Sequence, residues 1–150
     1  MKRNENLVPL SRDHHFGLLC SWKINTGIKK GVSYDRIRKY INHYWENHLT
    51  AHFAIEDQVL PELENNFLQI QMEKEHSEIR KLINSINQSQ DVQLLSDFAE
   101  ALKNHIRFEE RVVFPNYEEQ LTLQQIEEIG KQLGEIHHKE EDQYPDEFWK

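Results

Sequence analysis

The sequence predicts an all-α protein: an antiparallel up-down four-helix bundle with a fifth, C-terminal helix. Three observations carry that reading. Apolar residues recur at helical spacing over long stretches of the chain. Only five Gly and four Pro occur in 150 residues, too few for a turn-rich all-β fold. Residues able to cap helices stand between the periodic stretches. Hydrophobic residues make up 37% of the chain and charged residues 29%, a balance suited to helices that each bury one stripe. The length suits one domain, residues 1–150, with the bundle in about 10–120 and the last helix and tail in 121–150.

Each element has its own signals. Ser11 caps a first helix over about 12–29, which Gly31 helps to stop. Ser33 caps a second over about 34–64. The third, over about 69–88, ends in the polar run Asn87-Gln88-Ser89-Gln90. Asp91 caps a fourth over about 92–118. Thr122 caps a fifth over about 123–139, carrying Ile126, Ile129, Leu133 and Ile136. Pro61 and Pro115 follow the apolar pairs Val59-Leu60 and Val113-Phe114 and should loosen the last turns of the two long helices. The tail EEDQYPDEFWK ends in two aromatics that should dock on the bundle. Short connections make neighbouring helices antiparallel.

Composition excludes several classes of function. The formal charge of -8 argues against nucleic acid as a partner, because phosphate binding needs a basic face. No apolar run approaches the roughly 18 residues of a membrane span. No apolar segment follows the first basic residues as in a signal peptide, so cytoplasm is the expected compartment. Cys20 is the single cysteine; it reads as a packing residue and excludes a cysteine-based metal site.

Nine histidines remain to be explained. A helix turns about 100° per residue, so positions i and i+4 share a face. On the second helix, His48, His52 and Glu56 fall inside the stripe of Ile37, Ile41, Tyr44, Trp45, Ile55 and Val59. On the fourth, His105 and Glu109 fall inside the stripe of Leu95, Phe98, Leu102, Val112 and Val113. On the third, His76 shares a face with Met72, Ile79, Ile83 and Ile86. On the first, Leu18, Leu19 and Trp22 define a face with His15 near its centre and His14 about 90° away. Trp22, Trp45 and Tyr44 read as core. His43 reads as helix surface, and His137 and His138 as a solvated helix end.

A carboxylate in an apolar core is costly unless it is paired, hydrogen-bonded or bound to metal. Two carboxylates and four imidazoles converging on one core are economically explained by a pair of cations. The two halves of the chain also repeat one order: a core-facing His, then His-x-x-x-Glu, then Pro. That order gives His15, His52 and Glu56, then His76, His105 and Glu109. Glu56 and Glu109, one turn beyond a His at matched positions, are placed to bridge two metals.

The segments SRDHHFGLL, HLTAHFAIEDQVLP, MEKEHSEI and NHIRFEERVVFP resemble, in order, the hemerythrin-like or HHE cation-binding family. The resemblance spans about residues 10–120. It implies a four-helix bundle holding a non-haem di-iron site, with ligands at His15, His52, Glu56, His76, His105 and Glu109. His14, His48 and Glu110 are alternative ligands or supports. The oxygen-carrying branch has two His a turn apart on its third helix, whereas here Arg80 stands four after His76 and Met72 four before. Its acidic residue five after the fourth-helix His corresponds to Glu110, beside Glu109, and either can ligate. These departures favour branches that sense gases or iron, handle iron or answer nitrosative stress over oxygen carriage. The cofactor implied is two iron ions, with zinc or manganese as other candidates. The expected ligand is O2 or NO, and a protein partner would read the signal. A di-iron enzyme or iron donor is the alternative.

Overall fold

In the computed structural model, which describes residues 2–62, 66–136 and 143–150, every regular element described is helical. The order is α1 (Val8–Lys29), α2 (Tyr34–Tyr44), α3 (Thr50–Val59), α4 (Asn66–Ile86), α5 (Val92–Phe108), α6 (Phe114–Gln120) and α7 (Leu123–Ile136). Single π-helical turns, Trp45–Leu49 and Glu109–Val113, join α2 to α3 and α5 to α6. The two long helices expected from the sequence are therefore present, each widened once near its middle. His137 and His138 lie outside the described residues.

Most ends follow the expected caps. Asp91 accepts from the Gln93 N–H at 3.0 Å. Thr122 and Gln125 cap each other reciprocally, at 3.2 and 2.8 Å. After α1, Gly31 takes a φ of +71°, and the Val32 N–H closes on the Gly27 carbonyl at 3.0 Å. A residue with a Cβ would be strained at that angle. The first cap differs from the expectation. α1 begins at Val8, with Pro9 in its first turn, and Ser11 instead donates its hydroxyl to Glu110 Oε2 at 2.7 Å.

The buried face of α1 also differs. It consists of Leu10, Asp13, His14, Gly17, Cys20, Ser21, Lys23, Ile24 and Gly27. His15 is exposed, Leu18 is 40% exposed and Trp22 54% exposed. Leu18 and Trp22 point outward, and the small residues Gly17, Cys20 and Ser21 line the inner face beside them. A Cβ on Gly17 would lie 2.5 Å from Ile106 Cδ1, so any larger residue there would have to push the end of the Ile106 side chain aside.

Two apolar clusters fill the interior. One gathers Ile24, Ile41, Phe53, Ile79, Phe98 and Leu102, with Phe148 and Trp149 of the tail. The other gathers Leu10, Val59, Met72, Phe114, Tyr117 and Leu133. The expected docking of the tail aromatics is realised: Phe148 lies over Gly27, where a Cβ would come within 2.7 Å of its ring. Asp146 accepts two hydrogen bonds from Arg36, at 2.9 and 2.6 Å. No described helix is long and apolar enough to cross a membrane.

Candidate metal centre

Between the two apolar clusters lies a layer of buried polar residues, one or two from each of four helical segments. α1 supplies His14, α3 His52 and Glu56, α4 His76, and α5 with its π turn His105 and Glu109. All six are at most 5% exposed. They form two sets of donors whose ligand atoms lie within 4.8 Å of one another: His14, His52, Glu56 and Glu109, and Glu56, His76, His105 and Glu109. The two carboxylates belong to both sets.

The π turns set this geometry. A π turn closes its hydrogen bond over five residues where an α turn closes over four, and such bulges often sit at functional sites. Tyr44 and Leu49, five apart across the first π turn, both face the core. His48, which regular α-helical spacing would place beneath His52, is turned to the rim. It is half-buried against Tyr44 and His43, with ring centroids 5.5 and 6.0 Å away, and lies outside both donor sets. The second π turn, lying just before Pro115, begins at Glu109. It places Glu109 in the layer and Glu110 behind His14: His14 Nε2 is 2.8 Å from Glu109 Oε1, and its Nδ1 is 2.8 Å from Glu110 Oε2.

The sequence expectation is corrected on α1 and sharpened on the second π turn. His15 is on the outer surface and His14 occupies the place expected of it. Of the adjacent acids, Glu109 enters the layer. Val112, expected in the stripe, is 42% exposed, a further consequence of the extra residue in that turn.

Three carboxylates outside the donor sets hold the histidines from behind. Besides Glu110 on His14, Asp13 Oδ2 lies 2.8 Å from His52 Nδ1, and Glu75 Oε1 lies 2.7 Å from His105 Nδ1. A carboxylate can only accept, so each of these nitrogens carries the proton. In His52 and His105 that leaves Nε2 aimed at the centre. Asp13 and Glu75 went unnoticed in the sequence, where each reads as one more acid. The available signal was position: each immediately precedes a core-facing His, as Asp13-His14 and Glu75-His76.

The electrostatics are those of cations among anions. Burial lowers the affinity of His52 for a proton, but Glu56, Asp13 and Glu109 more than reverse that and raise its pKa well above the usual value. His105, buried but beside Glu109, Glu75 and Glu56, is raised to about 10. Burial likewise lowers His14 while Glu109 and Glu110 raise it, with a net rise. Burial pushes Glu109 up, yet His105, His14 and His52 hold it well below the usual carboxylate range.

Protons do not complete the layer. His52 Nε2, His76 Nε2, His105 Nε2, both Glu56 oxygens and Glu109 Oε2 are buried without a hydrogen-bond partner. The nearest approaches are 3.2 Å for His52 to Glu56, 3.6 Å for His76 to Glu56 and 3.4 Å for His105 to Glu109. Leaving one such group unsatisfied costs about 1–3 kcal/mol. Lone pairs of imidazole and carboxylate that converge without satisfying one another are the donor set of a divalent or trivalent cation. A cavity of about 10 Å³ adjoins His14, His52 and His105, walled by Tyr44, Leu49, Phe53, Leu102 and Ile106. Roughly that volume accommodates one water-sized molecule.

Fold and layer together define a helical protein with a buried histidine–carboxylate centre able to hold cations. The particular family follows from the sequence: residues 15–117, well over half of the chain, match the hemerythrin HHE cation-binding domain, and the chain belongs to that family. His14 stands one residue before the matched segment, so its place at the centre rests on the geometry. No curated protein and no solved structure matches the chain.

Proposed function

We propose that this protein is a non-haem di-iron protein of the hemerythrin type that binds or senses a small diatomic ligand, O2 or NO. In this reading the four long helical segments form an antiparallel up-down bundle, with α7 as a fifth helix. The observation that carries it is the set of six unpartnered buried donor atoms converging from three segments, with His14 of α1 closing the fourth side. His14 and His52 would hold one metal, His76 and His105 the other, and Glu56 and Glu109 would bridge them. Zinc or manganese suits the same donors; two carboxylates shared between two histidine pairs favour the two-iron centres of helical bundles.

Iron, held by these residues, would supply redox chemistry and an affinity for a diatomic ligand. The chain supplies the rest. Glu56 and Glu109 neutralise the cations. Asp13, Glu75 and Glu110 hold protons on Nδ1 and orient the rings. The apolar walls of Leu49, Phe53, Leu102 and Ile106 leave a small space, about the size of one water, beside His14, His52 and His105. A protein partner would then read the state of the centre.

One observation favours the alternative, a di-iron enzyme or an iron donor. A surface cleft of about 380 Å³ between α4 and α5 is lined by Glu75, Glu78, Asp97 and Glu100 and reaches His105, a setting that attracts cations. Anaerobic purification with metal analysis, followed by optical spectra on exposure to O2 and NO, tests the primary reading. About two irons per chain and a spectral change with either gas are expected. Protein refolded with ferrous iron that retains none would sink it. Turnover of peroxide or NO would move the protein to the enzymatic reading.

A further inference from the structure

The carboxylates behind the histidines are distributed unevenly. Both rings of the His14–His52 set are backed, by Glu110 and by Asp13. In the other set only His105 is backed, by Glu75. The His76 ring lies on the face of Phe53, with centroids 3.8 Å apart and planes 14° from parallel. Among the described residues no carboxylate reaches its Nδ1. A stacked phenyl ring fixes the plane of an imidazole but brings no charge and selects no tautomer.

We infer that the two metal positions are unequal: the His14–His52 position fills first and holds its cation more tightly, and Asp13 is the positioning residue that sets the difference. This rests on the two-metal reading above. An anionic acceptor on Nδ1 keeps the proton there, aims the Nε2 lone pair inward and makes it more basic, and loss of such a partner typically weakens metal binding about 10–100-fold. Burial ranks the three carboxylates. The Asp13 side chain is 7% exposed, Glu75 18% and Glu110 29%, and water screens the more exposed charges. Glu110 also lies 3.6 Å from the Arg3 guanidinium, which offsets its charge. Glu75 accepts from Gln71 Nε2 at 2.6 Å on its other oxygen, a neutral partner that leaves its charge in place. Asp13 is the carboxylate best shielded from water of the three, and it acts on His52 at 2.8 Å.

The test uses cobalt(II), a paramagnetic probe that shifts the NMR signals of the imidazoles it binds. The full chain, with labelled histidines, is titrated from zero to two equivalents. The His14 and His52 ring signals should shift before those of His76, and a shifted Nδ1–H signal should mark His52. Asp13→Asn, which keeps the size and removes the charge, should weaken the first step about 10–100-fold and draw the two steps together. Glu75→Gln should weaken only the second step and widen the gap. That variant keeps the inference testable should Asp13→Asn fail to fold, which far-UV circular dichroism of the cobalt-free protein would reveal. Filling of the His76–His105 position first, simultaneous shifts of all four rings, or a first step unmoved in folded Asp13→Asn would each overturn the inference while leaving two-metal binding intact. A chain that takes up no cobalt overturns the two-metal reading and the inference with it.

Discussion

The apolar clusters and the polar layer between them obey opposite rules. Around Phe98 and Leu102 at one end, and Val113 and Phe114 at the other, burial is its own reward: these side chains are at most 1% exposed and carry no polar atom to satisfy. The layer of His14, His52, Glu56, His76, His105 and Glu109 is as deeply buried, yet six of its polar atoms have no partner. The difference separates what folding requires from what function requires. The clusters hold four helical segments in place whatever the layer contains, and the layer is satisfied only by a cation that packing cannot supply.

The sharpest way to break this comparison is to damage a cluster. Phe98→Ala should cost about 3–5 kcal/mol, the usual range for a phenylalanine removed from a packed core. Because Phe98 touches the cluster rather than the donors, the loss in denaturant unfolding should be similar with and without iron. A loss confined to the iron-loaded protein would show that the cluster and the layer are not separable.

The next effect belongs to the layer. A ligand that binds only the folded state stabilises it by mass action, so iron-loaded protein should melt higher than protein stripped by a chelator. Glu56→Ala and Glu109→Ala each remove a carboxylate common to both donor sets. Occupancy should fall from about two metals towards one or none, and the iron-dependent rise in Tm should shrink with it. Two metals retained in either variant would rule out a bridge at that position.

A smaller effect should appear with pH, and its size should differ between the two forms. In metal-free protein the pKa values of His14 and His52 are raised, and that of His105 is raised to about 10, from the ordinary histidine value of about 6.5. A raised histidine contributes stability that is fully present below its unfolded pKa and lost as pH climbs through the folded one. Metal-free protein should therefore lose stability between about pH 6.5 and 10. Metals compete with those protons and bind more tightly as they leave. The gap in Tm between loaded and stripped protein should widen as pH rises over that window. A gap that narrows would mean that the histidines are not where the metals bind.

How much of this was legible in the sequence depended on how regular each helix is. The stripes of Met72, Ile79, Ile83 and Ile86 on α4, and of Leu95, Phe98 and Leu102 on α5, follow plain helical periodicity, and His76 and His105 were read from them directly. α1 misled because bulk was taken as the sign of burial: Gly17, Ser21 and Gly27 face the core and Leu18 and Trp22 face water. A helix pressed closely against its neighbour inverts the usual pattern, and only the neighbour reveals it. The π turns were invisible because neither WENHL nor EERVV contains Gly or Pro to mark a break; each shows itself only as a register shift, which carried His48 and Val112 outward. Asp13 and Glu75 act through partners 39 and 30 residues away, a distance over which periodicity says nothing.

The smallest expected effect tests that register most directly. His14 and His15 are adjacent and chemically identical, and about 100° of helix separates them. His14 is 4% exposed and hydrogen-bonded to Glu109 and Glu110. His15 is exposed, and its ring lies near that of Phe16, with centroids 5.7 Å apart. If the centre lies on the inner face, His14→Ala should weaken one metal position and leave buried Glu109 and half-buried Glu110 each short of a partner. His15→Ala should leave metal content, spectra and Tm within error of the parent protein, since surface substitutions away from special features usually change stability by less than about 0.5 kcal/mol. The pair controls for itself: both variants remove one imidazole from one helix, so any difference reflects direction alone. Metal analysis of the two purified variants decides it. Loss of metal in His15→Ala with retention in His14→Ala would require α1 to be rotated by one residue, which would bring Leu18 and Trp22 inward and turn Gly17 out of its contact with Ile106.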